Sequence, residues 1–138
     1  MIPFVRDFDF AYGRCDRVSP LVRRVVAQNP GPFTFTGTGT YIVGHGEVAV
    51  IDPGPFDLRH LDALLDAVGG ETVSHILVTH THADHSPLSR PLSEALGGVP
   101  ILAARPPGTA TELASTGEEG PDIDFLPDLV LTGGELIE

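Results

Sequence analysis

Four side chains that can bind metal ions fall within six consecutive residues, in the stretch THTHADHS: His80, His82, Asp84 and His85. His80 and His82 are two positions apart, so in an extended backbone they project to the same side and can hold one ion together. Asp84 and His85 follow as the chain turns, and they suit a second ion nearby. Imidazole and carboxylate ligands suit zinc, or with less preference iron and manganese, and the absence of thiolates disfavours a purely structural zinc.

The alternative for any single histidine beside a strand is a hydrogen-bonded polar residue without a ligand role. Three histidines in so short a stretch are different, because crowding groups that can become cationic costs stability unless a metal offsets the cost. We therefore interpret this stretch as a metal-binding loop.

The loop lies between a predicted strand and a predicted helix, where rigid elements can hold converging polar side chains. SHILVT, residues 74–79, is short and nearly all apolar, which predicts a strand that ends where the loop begins. A helix is predicted from about Ser86 or Ser89 to Leu96. Pro91 within it predicts a late start or a kink.

The rest of the pattern predicts a sheet with helices packed against it. LVRRVVA predicts a strand, YIV and VAVI around GHG predict a hairpin, and leucines at helical spacing over residues 58–68 predict the clearest helix. VPILAA predicts another strand, residues 105–122 predict a loop, and LVLTGGELIE predicts a second hairpin. Phe8, Phe10 and Tyr12 alternate with other residues, as in a short edge strand or an extended arm.

The length, charge and composition of the chain disfavour several classes of function. The chain has 138 residues, which suits one domain, and a net charge of −11 disfavours unaided binding to nucleic-acid phosphates or anionic membranes. Cys15 is the single cysteine, so no intrachain disulfide can form. Asp7 and Asp9 interrupt any signal peptide, and no window approaches the ~20 apolar residues of a membrane span. These features predict a cytoplasmic protein without a membrane partner.

HTHADH matches the HxHxDH signature of the metallo-β-lactamase superfamily, and AVIDPG resembles that superfamily's strand-Asp-x-Gly element. NPGPFTFTGTGTYIVG resembles the branch with the lactamase-β-like endoribonucleases and glyoxalase II-like hydrolases. The resemblance implies a four-layer αβ/βα sandwich of class α/β (α+β), of which this chain is similar to the first αβ half. Residues 1–138 then form one truncated domain, with an N-terminal arm over 1–17 and the αβ half over 18–138.

The resemblance also implies roles for the site residues. His80 and His82 would hold a first zinc ion, and Asp84 and His85 a second, so that an activated water attacks an ester, thioester, lactam or phosphodiester. Asp84 would be the catalytic residue that orients this water and handles its proton. Asp52 would hold the ligand loop by hydrogen bonds; the alternative is a turn-forming aspartate ahead of a proline and a glycine.

The superfamily's site needs further ligands: a third histidine for the first metal, a bridging aspartate and a last histidine. No histidine follows His85. His45 belongs to the hairpin turn, His60 lies off the apolar stripe of its helix and is predicted to face solvent, and His75 lies roughly 16 Å before His80 at about 3.3 Å per residue. None replaces the missing ligands, so we expect a truncated chain that binds metal weakly.

Two functions remain open. The first is a metal-dependent hydrolase by lineage, with this chain carrying half of the site and inactive alone. The second is a non-catalytic fragment or assembly module that retains the ligand loop without metal. A small ester or thioester is the preferred substrate, the acidic charge disfavours RNA, and a β-lactam has no particular support. A half-sandwich exposes one sheet face, which predicts a homodimer through that face or by strand exchange.

Overall fold

A computed structural model describes residues 7–105 and 120–137, which form one sheet with two helices. The strands are β1 (Cys15–Arg17), β2 (Val22–Val26), β3 (Gly39–His45), β4 (Glu47–Ile51), β5 (Thr72–Val78), β6 (Ile101–Ala104) and β7 (Leu129–Leu131). The helices are α1 (Leu58–Ala67) and α2 (Ser89–Ala95). In the described part of the chain, neither helix is long and apolar enough to cross a membrane.

The strands lie in the sheet in the order of the chain. β1 to β4 pair antiparallel, and β4 to β7 pair parallel. Parallel neighbours need a crossover connection, and α1 and α2 supply the crossovers from β4 to β5 and from β5 to β6. The mixed α/β class is confirmed, as are the first hairpin, both helices and the strands preceding and following α2.

The local sequence explains where each helix begins. The Asp57 carboxylate accepts a hydrogen bond from the Arg59 backbone N–H at 2.9 Å and so caps α1. α2 starts at Ser89, which confirms the predicted late start. Pro91 then falls in the first helical turn, where its missing N–H would have no partner within the helix.

The helices cover one face of the sheet. The core there joins Leu64 of α1 and Leu92 of α2 to alternate residues of the central strands, Ile42, Val50 and Ile76. Because successive strand residues point to opposite faces, their neighbours point away from the helices. The strand register aligns those neighbours into one apolar row across β3 to β7, here called the open-face row: Tyr41, Ile51, Leu77, Leu102 and Leu129.

The second predicted hairpin is wrong. β7 pairs parallel with β6, and residues 132–137 contain no strand. The Glu135 carboxylate accepts hydrogen bonds from the backbone N–H groups of Thr132 at 2.7 Å and Gly133 at 2.8 Å. Those bonds close a tight local turn in place of a ladder.

The predicted exposure of His60 is also wrong, because its side chain is buried with 3% exposure. Its Nε2 lies 2.8 Å from the Thr40 hydroxyl, which gives the imidazole a polar partner inside the protein.

The N-terminal arm takes the extended alternative rather than a strand over residues 7–11. The rings of Phe8, Phe10 and Tyr12 pack in series, with centroids 5.0 and 5.4 Å apart. β1 lies within the residues assigned to the arm, yet it pairs with β2 as part of the sheet. The loop predicted over residues 105–122 falls mostly outside the described residues.

Candidate metal centre

The predicted ligands lie at the edge where the parallel strands end. Residues 79–86, here called the ligand loop, leave the carboxyl end of β5 and lead into α2. Asp52 directly follows β4, which pairs parallel with β5, so it lies at the same edge. Asp52 adopts a φ of 51°, a left-handed conformation that aspartate tolerates better than most residues.

Three of the four predicted ligands come together. One donor atom each from His80, His82 and Asp84 lies within 4.8 Å of the other two. The rings of His80 and His82 are 4.5 Å apart in an edge-to-face arrangement. Donors around one tetrahedral zinc lie about 3.4 Å apart, since each zinc–nitrogen bond is about 2.0–2.1 Å. The cluster fits such an ion after closing by roughly an ångström, and its donor types are those that zinc prefers.

His85 lies beside this cluster with its nitrogens directed to two carboxylates. Its ring centroid is 4.1 Å from that of His80. Nδ1 lies 2.9 Å from Asp52 Oδ2, and Nε2 lies 3.2 Å from Asp84 Oδ2. His85 therefore links the residue after β4 to the buried carboxylate of the ligand loop. The assignment of His85 as a metal ligand stays a prediction.

The charges around these imidazoles separate their protonation behaviour. Burial lowers the pKa of His80, and the neighbouring His85 and His82 lower it further, which favours the neutral form that binds metals. Burial also lowers the pKa of His85, but the carboxylates of Asp52 and Asp84 outweigh it and raise that pKa above the ordinary value. The neutral, metal-binding form is therefore favoured for His80, whereas the protonated form is favoured for His85.

Asp52 is tied to the start of the ligand loop. Its carboxylate accepts hydrogen bonds from the Thr79 backbone N–H at 2.8 Å and from the Thr79 hydroxyl at 2.7 Å. Burial raises the pKa of Asp52, but the bonds from His85 and Thr79 outweigh that effect and hold it below its ordinary value. The carboxylate therefore remains ionised and fixes the loop as it leaves β5.

A second tie to the ligand loop has no counterpart in the sequence analysis. Asp122 Oδ2 accepts a hydrogen bond from the buried Ser86 hydroxyl at 2.7 Å. Asp122 is one of eight acidic residues after Arg105, and nothing in its sequence context sets it apart from the others. A pattern search confined to the ligand loop could not find it.

The remaining histidines do not join the cluster. His45 is exposed at the end of β3, and its Nε2 lies 2.7 Å from the Pro20 carbonyl oxygen. His60 is buried against Thr40 beneath α1. His75 lies in the middle of β5, before the strand reaches the ligand loop.

The chain is similar in sequence to known proteins. The family model of the metallo-beta-lactamase superfamily matches residues 34–137. An atrochrysone carboxyl ACP thioesterase of Cryptosporiopsis sp. is 45% identical over 92 residues, covering 63% of this chain and 25% of that protein. A lactamase-like protein of Pestalotiopsis microspora is 45% identical over 75 residues, covering 51% of this chain and 23% of that protein.

One solved structure has a fold similar to that of this chain. A beta-lactamase domain protein from Burkholderia ambifaria superposes with a TM-score of 0.55 at 24% identity, over 71% of this chain and 32% of that one. The similar region thus spans about a quarter of the two relatives and about a third of the solved structure. The described sheet and helices correspond to half of the sandwich of that fold.

Proposed function

The chain belongs to the metallo-beta-lactamase superfamily, and from that premise we propose that it acts in metal-dependent hydrolysis of an ester or thioester. The observation that carries the proposal is the cluster of His80, His82 and Asp84, whose donor atoms lie within 4.8 Å of one another. The names of the relatives support a hydrolase lineage, since several are called thioesterases.

We propose zinc as the metal, with His80, His82 and Asp84 as its ligands in this chain. In the two-ion arrangement of the superfamily, Asp84 and His85 would hold a second ion. His85 can take that role only by giving up a proton and its contact with Asp84, which now lies 3.2 Å away. Metal binding at that second position should therefore be the weaker of the two.

A bound zinc ion would supply Lewis acidity and lower the pKa of water to about 7. The chain's own residues set the geometry of that step. Asp84 is buried, with 8% exposure, so its carboxylate can accept a proton from the attacking water with little competition from solvent. Asp52 would hold His85 and the start of the ligand loop in place through its three hydrogen bonds.

The net charge of the chain and the names of its relatives both support one class of substrate. A net charge of −11 is unfavourable for an RNA backbone and neutral toward a small acyl ester. The thioesterases among the relatives are named for an acyl group on a carrier protein, which suits the preference for a thioester. We propose a small-molecule thioester or ester as the substrate.

A second function is favoured by the environment of His85. Because both of its nitrogens face carboxylates, the loop already has a satisfied arrangement without metal. The chain would then be a non-catalytic module that retains the loop as a structural feature. We place this second, because the lowered pKa of His80 and the converging donors of the cluster have no use in such a module.

The test compares metal content and thioester hydrolysis in the 138-residue chain and two histidine variants. His80→Ala should lose most of the bound zinc and any hydrolysis of a model thioester. His45→Ala is the matched control, since His45 is an exposed histidine outside the cluster. Zinc that binds equally well to the chain and to His80→Ala would contradict the proposed site. A chain that binds no zinc and shows no turnover would favour the second function.

We also propose that a second copy of the chain covers the open-face row. Leu129 and Tyr41, at the two ends of that row, are 53% and 37% exposed, whereas Leu102 within the row is already buried. Large apolar side chains exposed on a sheet face form a surface that soluble proteins normally bury. Localisation in the cytoplasm stays a prediction.

A further inference from the structure

Residues 120–122 run antiparallel to residues 81–83 of the ligand loop and hydrogen-bond to them. The Asp122 backbone N–H donates to the Thr81 carbonyl at 2.8 Å, and the Ala83 N–H donates to the Gly120 carbonyl at 3.1 Å. These two bonds lie on either side of an isolated bridge between His82 and Pro121. The backbone is therefore fixed immediately before and immediately after His82.

The side chain of Ser86 extends this hold to Asp84. The Ser86 hydroxyl has no solvent exposure, and it lies 2.7 Å from Asp122 Oδ2 and 3.3 Å from the His82 carbonyl oxygen. The same carbonyl accepts the backbone N–H groups of His85 and Ser86, at 3.0 and 3.2 Å. The turn that contains Asp84 is thus closed onto His82, and Ser86 anchors it to Asp122.

We propose that Asp122 and Ser86 are positioning residues of the metal centre, which fix the spacing between His82 and Asp84. The inference rests on the proposed function, because it assumes that these two residues bind metal. The hydrogen bonds of Asp52 go to Thr79, the first residue of the ligand loop, and to His85. Asp122 and Ser86 therefore act on a different part of the loop from Asp52.

Removing such a supporting bond allows the ligands to spread, and metal affinity then falls. Losses of about 10- to 100-fold are typical when a residue that orients a ligand is changed. A residue that served stability alone would lower the free energy of unfolding without changing the affinity of the folded protein for metal.

The first experiment measures Co²⁺ affinity and the Co²⁺ absorption spectrum of the 138-residue chain and four variants. Ser86→Ala and Asp122→Ala remove the side-chain bond and should each weaken Co²⁺ binding by roughly tenfold. Asp122→Asn keeps an oxygen that can accept from Ser86, so it should restore most of the affinity. Asp124→Ala is the control, since it removes the same charge from an exposed position two residues further on.

The control and the rescue separate positioning from charge. If Asp122→Asn binds Co²⁺ as weakly as Asp122→Ala, or if Asp124→Ala weakens it equally, the effect is electrostatic and the proposal is overturned. A chain that binds no Co²⁺ at all overturns the proposed function together with this inference. Normal binding by the chain and undiminished binding by Ser86→Ala and Asp122→Ala overturn this inference alone.

A second measurement needs no metal. Hydrogen exchange of the Ala83 amide, which is bonded to Gly120, should become faster in Ser86→Ala and Asp122→Ala but not in Asp124→Ala. The Ile76 amide, bonded to the Pro100 carbonyl, lies in the sheet and reports on the fold itself. Faster exchange at Ala83 with unchanged exchange at Ile76 supports local positioning. Equal acceleration at both amides indicates general destabilisation and overturns it.

Discussion

Oδ2 of Asp52 lies 2.9 Å from Nδ1 of His85, and this contact connects the residue after β4 to the loop after β5. The lowered pKa of Asp52 and the raised pKa of His85 are two consequences of the same pair. Since both side chains are largely buried, the pair is shielded from solvent. Changes at Asp52 should therefore affect stability and the ligand loop together.

Replacing Asp52 by asparagine or by alanine should destabilise the protein to different extents. Asparagine tolerates the left-handed φ of 51° and keeps one acceptor oxygen, whereas alanine loses every side-chain bond and is strained at that φ. We expect Asp52→Ala to cost roughly 2–3 kcal/mol of unfolding free energy, by the usual worth of bonds to a charged group, and Asp52→Asn to cost less. Urea denaturation at pH 7 measures both. Equal losses in the two variants would show that neither the backbone conformation nor the remaining oxygen matters.

The buried His60 makes stability depend on pH. Burial lowers the pKa of its imidazole from 6.5 to about 4. Between these values the unfolded chain binds a proton that the folded protein does not, so the free energy of unfolding falls as pH is lowered from 6.5 toward 4. The full contribution is roughly 3 kcal/mol, at about 1.4 kcal/mol per pH unit. Urea denaturation at pH 7 and pH 5 should show about 2 kcal/mol of this loss.

The variant His60→Gln isolates that contribution. Glutamine can still bond to the Thr40 hydroxyl, but it does not titrate. Its stability should change less than that of the natural chain between pH 7 and pH 5. A pH dependence identical in the two proteins would show that other groups are responsible.

The grouping of His80, His82 and Asp84 was easier to predict from the sequence than the residues that hold their loop in place. Histidines two positions apart after an apolar strand are a local pattern, and a local pattern can be recognised without knowledge of tertiary contacts. The bond between Asp122 and Ser86 joins residues 36 positions apart, so no window of sequence contains it. His60 shows the same limit. Its position off the leucine stripe of α1 predicted a side chain exposed to solvent. The helix pattern cannot reveal that Thr40 of β3 supplies a buried hydrogen-bond partner.

The outline of the fold was predictable for a similar reason. The hairpin around Gly46 and the two helices follow from turn residues and hydrophobic period, which act over a few residues. β7 was misread because LVL and ELIE flank a Gly-Gly pair, as hairpin strands would. β7 pairs instead with β6, and next to that pairing the Asp128 carboxylate, just before β7, accepts the backbone N–H of Ile101, the first residue of β6, at 2.8 Å.

Asp128 should matter more to stability than its partner Arg90. The two side chains form a double contact, at 3.0 and 3.2 Å, but both are more than a third exposed, so their coupling should be below about 1 kcal/mol. Asp128→Ala also leaves the part-buried Ile101 N–H without its acceptor, which adds roughly 1 kcal/mol. Arg90→Ala loses a bond to the Leu126 carbonyl at 3.0 Å, but that bond is exposed and water can replace it. A double-mutant cycle with Arg90→Ala, followed by urea denaturation, measures both quantities. A larger loss from Arg90→Ala than from Asp128→Ala would contradict this assignment.

Association through the open-face row should depend on Leu129. A glutamate at that position places a charge at the end of the apolar row, where burial against a second copy would strip its water. Leu129→Glu should therefore shift the chain toward monomer in sedimentation velocity at micromolar concentration. Leu58→Glu is matched to it, because Leu58 is 59% exposed against 53% for Leu129 and lies at the start of α1, outside the row. A chain that is monomeric throughout the concentration range, or one that dissociates equally in both variants, would show that this row does not mediate association.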